Sequence, residues 1–413
     1  MANITMTSLD PVLKTLYKGT GVEDATYQDH PFMAMVAKFE GFVGRNMPLP
    51  IKYANGQGRS ADFPTAQSNA GSPSFEDFLL TRVSDYAVCG IDGEAIRASA
   101  SDKGAFIRGL KAKMDSAFGA CAASLSASLF LDGTGAIGRG DGAWNVATTD
   151  AVLATTSDVV HFEVGQHVVL SDAKTNAVRA GSVTLAGIAR DTGTLTASAA
   201  WTGGIAAAVN TDYMFVEGDA HNAVSYKKIS GLDAWIPASA PGATLFFGVN
   251  RSTDTRLGGQ RLDASGYATV EEALIDGASI VAAEGGRPDV CLVNPVKFRK
   301  LVKELGAKVQ YDKLQAQNAK GAMAHIGFRS VIVDGDRGPV QVVSDRDCPE
   351  ATAHMIQLDT WKLCSLGPAP GILMDDGNRI LRQAAADGYE VRVGYYAQLG
   401  CSNPSANCNI TLP

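Results

Sequence analysis

His161 and His167 stand six residues apart and could share a metal ion, but no third ligand follows at a suitable spacing; histidines in strands or loops are the plainer reading. Asp334 and Asp336 in DGDRG, and Asp375 and Asp376 in DDGN, invite a hard-cation reading, yet both are ordinary turn sequences. The seven cysteines, Cys89, Cys121, Cys291, Cys348, Cys364, Cys401 and Cys408, are odd in number, scattered and never in a C-x-x-C pair. They fit free thiols in a cytosolic folding compartment, with zinc the remote alternative. Gly133, Gly135 and Gly138 match G-x-G-x-x-G, but the dinucleotide fingerprint follows a strand and opens a helix, and this one follows a helical pattern. Arg139-Gly140-Asp141 matches an adhesion tripeptide inside a Gly-rich turn, in a chain where nothing indicates export. There is no G-x-S-x-G elbow, P-loop or H-E-x-x-H. The reading is a chain without catalytic group, metal or cofactor.

Composition narrows the classes further. The 413 residues can bury a large core in two or three domains, and 46% hydrophobic with 19% charged residues is a folded composition. A net charge of −7 without a run of Lys and Arg excludes phosphate-driven nucleic-acid binding as the main task. No charged segment followed by an apolar stretch opens the chain, so no secretory signal is read.

The elements are organised around SDKGAFIRGLKAKMDSAFGACAASLSASLFL, residues 101–131. Phe106, Leu110, Met114, Phe118 and Leu125 fall on one face of a helix, which Ser101 and Asp102 can cap and Asp132-Gly133 can end. At 1.5 Å per residue it is roughly 45 Å long, a strut. Its second half carries no charge and must be covered on most sides; with four serines it is too short and too polar to span a membrane.

Before the strut, residues 1–46 hold two helical hints, DPVLKTLYKG and FMAMVAKFEG, in an arm that lies on something else. MPLPIKY and FEDFLLTRVSDYAVCGI then flank about twenty residues rich in Gly, Ser, Asn and Ala. This is one long hairpin whose loop is either a floppy surface loop or an arm ordered by a neighbouring subunit. Only Phe63 in it is large and apolar, so the loop cannot alone offset an ordering cost of ~1–2 kcal/mol per residue. It is read as mobile in a free subunit, with Arg59 and Arg82 as trypsin sites. After the strut, the runs VVHFEV, HVVLSD, SVTLAGIARD, TLTASAAW and DYMFVEG in residues 146–219 describe a small antiparallel barrel or sandwich inserted into another domain. From Thr244 the pattern is mixed. A helix near Thr269–Ala283 leads to a DVCLV strand, and Asn294 caps NPVKFRKLVKELG; strands follow in FRSVIVD, PVQVVSD and AHMIQL. A hairpin ILMDDGNRIL, a strand YEVRVGYYAQLG and a polar tail CSNPSANCNITLP close the chain.

This order of arm, Gly/Ser-rich hairpin, strut, GLDAWI, DVCLVNPVKFRKLVKEL, PVQVVSD and YEVRVGYYAQLGCSNPSA resembles the tailed-bacteriophage major capsid proteins. The resemblance implies an α+β fold of the Hong Kong 97 type and the following division: N-terminal arm 1–46, extension-loop hairpin 47–91, spine helix and peripheral domain 92–145, inserted β-rich domain 146–219, a return to the peripheral domain over 220–250, axial domain and connecting strands 251–384, and closing strand and C-terminal tail 385–413. It implies inter-subunit contacts through Lys52, Arg59, Asp62 and Phe63 of the extension loop. The implied partners are other copies in hexamers and pentamers, a separate scaffolding protein, a portal protein, a decoration protein as an optional addition, and packaged DNA held without sequence-specific contact. No membrane is involved; the protein belongs in the virion, assembled in the host bacterial cytoplasm. Some relatives join an extension-loop lysine to a neighbour's asparagine, and Lys52 is the one lysine between Phe39 and Lys103, too little to expect cross-linking. The alternative is a β-rich binding or tail-associated structural protein recognising its target through residues 146–219; an α/β enzyme rests only on the glycine motif rejected above.

Overall fold

The computed structural model describes residues 29–93, 103–221, 226–308, 331–374, 377, 379–383 and 387–413, with side chains except at 91, 103–112 and 306–308. A single helical turn, Pro31–Met35, leads into β1 (Ala37–Phe39). β2 (Asn46–Ala54) and β3 (Ser74–Thr81) form an antiparallel hairpin around a short helix, Phe63–Ser68, and β4 (Val83–Asp92) follows. The long helix spans Lys103–Phe130. Next come β5 (Ala136–Arg139), β6 (Asp150–Val152), β7 (His167–Ser171), β8 (Val183–Ala189), β9 (Thr194–Ala197) and β10 (Tyr213–Val216). A turn of helix at Leu232–Trp235 precedes the small hairpin of β11 (Leu245–Phe246) and β12 (Val249–Asn250), then β13 (Gln260–Asp263). The remaining elements are a helix at Val270–Ala283, β14 (Val290–Val293), a helix at Pro295–Lys308, β15 (Val331–Gly335), β16 (Gly338–Ser344), β17 (Thr352–Ile356), β18 (Trp361–Ser365), β19 (Gly371–Ile372), β20 (Leu381–Arg382), β21 (Gly388–Cys401) and β22 (Cys408–Thr411).

Two sheets and a barrel organise these pieces. β21 is the spine of the first sheet: β4 pairs along one edge over residues 388–397, and β18, β19 and β20 share the other edge, with β1 added in parallel outside β18. The long helix packs on the face carrying Val391, Val393, Tyr395, Ala397 and Leu399. It delivers Ala117, Cys121, Leu125 and Leu129 to that core. From Leu125 to Phe130 every residue is buried, which its uncharged sequence permits once the Ser126 and Ser128 hydroxyls donate to Asp347 and the Ser124 carbonyl. The second sheet runs β13-β22-β17-β14-β16-β15. Helices 270–283 and 295–308 cover one of its faces; Asn294 accepts from the Val296 N–H as expected, and Thr269 caps the other by accepting from the Glu272 N–H. Its other face, through Val290, Leu292 and Ile356, joins the core of the first sheet.

The strands after the long helix follow the order β5-β10-β7-β8-β9-β6. An antiparallel bridge between Gly140 and Leu153, flanked by hydrogen bonds from Asp141 to Val152 (3.0 Å) and from Ala154 to Arg139 (2.8 Å), ties the last strand to the first. The six strands therefore close into a barrel without free edges. Its interior is filled by Trp144, Phe162, Leu170, Leu185, Leu195, Trp201 and Met214.

Several sequence expectations need correction. The first barrel stave, β5, lies ahead of residue 146, where the strand-rich block was expected to begin. VVHFEV is not a strand: residues 156–161 form a 3-10 turn that buries Val159 and Phe162 in the barrel. Arg190 donates to the Val159 and Phe162 carbonyls, which a strand partner would otherwise have satisfied. FMAMVAKFEG divides into the short helix and β1. The two ends of ILMDDGNRIL do not pair with each other; β19 and β20 each pair with β21, whose fourteen residues offer the longer edge. Finally, CSNPSANCNITLP is no polar tail, because it supplies β22, paired on both sides between β13 and β17. Asn407 can be buried there because tertiary partners satisfy it, accepting from Trp361 Nε1 and the Gln357 N–H, both at 2.8 Å, while the Asn409 amide donates to the Ile236 carbonyl at 2.8 Å and to Asp233 at 3.1 Å. The helix-start residues Ser101 and Asp102, the hint DPVLKTLYKG, the connector after Lys308 and the aspartates Asp375 and Asp376 lie outside the described residues.

Candidate assembly surfaces

The β2–β3 hairpin is one-sided. Ile51, Phe78 and Leu80 point inward and are buried, with Met47 and Leu49 beside them. The alternate residues Pro48, Pro50, Lys52, Phe75, Asp77 and Leu79 point outward and are exposed, Phe75 by 61% and Leu79 by 43%. Period-two alternation thus seats one face on the chain's own core and leaves the other, largely apolar, uncovered.

The hairpin root is held by an aromatic cluster. The Trp235 ring lies 5.1 Å from Phe78, 5.1 Å from Phe246, 5.8 Å from Phe247 and 6.4 Å from Trp361, and its Nε1–H donates to the Leu399 carbonyl at 3.0 Å. Phe247 adopts φ 48°, a conformation a bulky residue accepts only under constraint, in the tight β11–β12 turn. Its carbonyl receives the Leu79 N–H at 2.9 Å, joining that turn to β3. Arg251 stacks 4.0 Å from the Phe246 ring centroid and donates to the Ala234 and Trp235 carbonyls; burial lowers its pKa to about 10. The GLDAWI segment is therefore the joint between hairpin and body.

The loop beyond is more built than its composition suggests. Its two legs approach through glycine: a Cβ on Gly56 would lie 2.0 Å from the Gly71 carbonyl oxygen, so only glycine fits. Asp62 caps the 63–68 helix, accepting from the Thr65 N–H at 3.1 Å and its hydroxyl at 2.6 Å, which lowers the carboxyl's pKa. Asp62 is thus spent locally, while Lys52 and Arg59 are exposed and Phe63 is 77% exposed at the start of the helix. Arg82 is not an open trypsin site: its guanidinium donates to the Phe42 carbonyl at 2.6 Å and lies 5.0 Å over the Phe42 ring.

On the long helix, Leu125 is fully buried and Met114 and Phe118 pack partly buried against the same core; the side chains of Phe106 and Leu110 fall outside the described ones. Two buried polar joints, which no local pattern in the sequence marks, fix its C-terminal half. At the first, Asp347 accepts from Ser126 and pairs with His30 at 3.0 Å, and neighbouring Asp345 accepts the Phe32 N–H at 3.1 Å. Burial would raise the Asp347 pKa, but the hydrogen bonds from His30 and Ser126 outweigh it and hold it low. At the second, Lys228 Nζ lies 2.7 Å from both Asp85 and Asp219 and 3.0 Å from Ser124, tying β4, the barrel exit and the helix together. Burial works against the ammonium, and the two carboxylates restore it.

The sequence between and beyond these surfaces matches known proteins. A family model described as SU10 major capsid protein covers residues 183–406. The chain belongs to this family. It is a tailed-phage major capsid protein, a structural rather than catalytic component that self-associates into capsid oligomers and resides in the virion. In three dimensions the capsid protein resembles a chain of the cyanophage A-1(L) capsid asymmetric unit, with TM-score 0.59 and 12% identity over 98% of this chain and 99% of that one. The likeness shows the capsid fold. The capsid of an empty GTA particle (TM-score 0.48, 9% identity, 95% and 99% covered) and that of cyanophage P-SCSP1u (0.45, 10%, 100% and 97%) also align. No curated protein matches the chain.

The remaining motif residues of the capsid protein do structural work. Arg139 stacks 5.1 Å from the Tyr213 ring centroid, and Asp141 accepts the Ala143 and Trp144 N–H groups, so the tripeptide is a barrel corner. Gly133 and Gly135, at φ 82° and 86°, make the entry to the barrel, where a Cβ on Gly135 would come 2.3 Å from the Asp219 carbonyl oxygen. His161 lies against the Asp347 joint, with burial lowering its pKa, whereas His167 is exposed beside Glu217 at 3.7 Å. Asp334 and Asp336 occupy the β15–β16 hairpin. Among the described residues no three His, Cys, Asp or Glu side chains group as a metal site, and no described helix is long and apolar enough to cross a membrane.

Proposed function

We propose that the β2–β3 hairpin is the extension arm of the shell, and that its outward face, with Lys52 and Phe63 toward its end, lies across a neighbouring copy in hexamers and pentamers. The carrying observation is the hairpin's division into a seated face and an exposed apolar one. Such a face is a liability on a monomer and an asset in a lattice, where arms add interface area that flat faces lack. In the same reading the long helix is the spine, the β21 sheet the peripheral unit, and the β14 sheet with its two helices the axial unit. The barrel is an insertion, entered and left through the neighbouring segments at Gly135 and Asp219. A separate scaffolding protein, a portal and an optional decoration protein complete the assembly in the host cytoplasm. A net charge of −7 keeps the packaged genome from adhering to the wall.

Deleting residues 55–72 tests the arm. The deletion removes no buried core residue, so the subunit should remain folded by circular dichroism and near-native in its unfolding transition. Negative-stain imaging should then show capsomers or shells for the parent and none for the deletion. Shells of normal yield from the deleted chain would defeat the arm reading.

A further inference from the structure

We propose that Asn55 deamidates spontaneously in the free subunit and that this limits how long the arm stays competent. Asn55-Gly56 is the only Asn-Gly step in the chain. Asn55 is exposed; among the described residues its side chain has no hydrogen bond, and the Gly56 N–H has no protein acceptor. Glycine after asparagine leaves the next amide nitrogen unshielded, and asparagine is among the residues lost first when proteins age. In the reaction the Gly56 nitrogen attacks Asn55 Cγ, the new N–Cγ bond forms, and the Cγ–Nδ2 bond breaks. Ammonia leaves with the proton that was on the Gly56 nitrogen. Water then opens the cyclic imide at one carbonyl or the other, giving aspartate or isoaspartate.

The fold explains why this labile step is present and why it matters. Position 56 must be glycine, because any Cβ would meet the Gly71 carbonyl at 2.0 Å; the contact that holds the loop legs together also supplies the reactive nitrogen. An isoaspartyl linkage inserts one more main-chain carbon immediately before that contact, and both products add a negative charge. The leg spacing cannot be kept, and the capped 63–68 helix, which the legs carry, is displaced. The chemistry at Asn55 stands by itself; its consequence for assembly rests on the arm reading above.

Trypsin supplies a convenient probe, since cleavage after Lys52 and Arg59 releases Tyr53–Arg59, in which Asn55 and Gln57 are the only side-chain amides. The full-length free subunit is aged in mildly alkaline buffer and digested, and the aspartyl and isoaspartyl peptides are separated and assigned from fragment masses. Asn55 should convert several-fold faster than Asn69 or Asn145, and N55Q should show no conversion in this peptide. Conversion at Asn55 no faster than at Asn69 overturns the proposal. Aged wild type should then yield several-fold fewer shells than equally aged N55Q, with N55S replacing it should fresh N55Q assemble poorly. Equal shell yields despite conversion overturn the lifetime, and normal assembly of the 55–72 deletion would overturn the arm while leaving the peptide result intact.

Discussion

Replacing Asp347 by alanine should loosen the subunit at the point where three separate parts of the chain meet. The carboxylate is 1% exposed and is shared by Ser126 of the long helix, which is fully buried, and by His30, 7% exposed, ahead of the first helical turn. Removing a buried acceptor shared by two groups costs roughly 1–3 kcal/mol for each, because both keep their desolvation penalty without the compensating bond. S126A deletes a single hydroxyl donor and should cost about 1 kcal/mol, and D347N, which keeps an acceptor oxygen, should fall between the two. The effect is measured as the shift in urea midpoint of the free subunit followed by tryptophan fluorescence, with S126A/D347A completing a double-mutant cycle. A local readout accompanies it: Lys38, exposed in β1, should be cut faster by trypsin once residues 29–36 are no longer clipped to Asp345 and Asp347. Because its pKa is depressed in the fold, the Asp347 contribution is complete above the ordinary carboxylate value of 3.8 and disappears as pH falls through the lower folded value. If D347A stays within about 1 kcal/mol of wild type and Lys38 is no more susceptible, the cluster is not an energetic joint, and the reasoning from burial and shared acceptors fails.

Three further expectations can be checked with the same material. Asp233 is raised to about 7 by burial, with Asp132 adding to the effect and Lys174 opposing it, so between 3.8 and about 7 the folded chain keeps a proton that the unfolded chain releases. D233N should therefore gain on wild type by up to about 1.4 kcal/mol per unit as pH rises through that window, and run parallel above it. That figure is an upper bound, because 27% of the side chain reaches solvent. Neighbouring His354, lowered to about 3 by burial, has the opposite slope below 6.5, so the variant should also expose a steeper acid loss; stabilities of the two chains that stay parallel across the range would contradict the Asp233 shift, and a variant whose stability does not fall as pH drops below 6.5 would contradict that of His354. A segment covering residues 133–221, which includes every barrel stave, should unfold cooperatively by circular dichroism, whereas 146–219 lacks β5 and should not; equal behaviour would mean the closure at Gly140 and Leu153 contributes little. Trypsin should cut the exposed Arg59 quickly in free subunits and slowly in particles, and leave Arg82 intact in both, with equal Arg59 cleavage in the two states arguing for a loop that lies free in the shell.

What the sequence determined by itself was local and periodic. A hydrophobic row at helical spacing with an uncharged second half is sufficient for the long helix; Thr269 and Asn294 announce their helices by capping chemistry, and alternation in MPLPIKY and FEDFLLT specifies a one-sided hairpin. The capsid resemblance was likewise readable in the order of these parts. The tertiary structure alone decided which polar residues are interior. Asn407 and Asn409 look like tail residues until Trp361, Gln357 and Ile236 are seen to hydrogen-bond them, and Asp347, Lys228 and His30 carry no local mark of the joints they make. The same holds for strand pairing: β19 and β20 sit in a sequence that reads as a hairpin, yet both join β21, and Val159 caps a barrel instead of extending it. A hydrogen bond or an ion pair offsets the cost of burial only when its partner arrives, and here the partners come from as far as 317 residues away, beyond the reach of any periodicity in the chain.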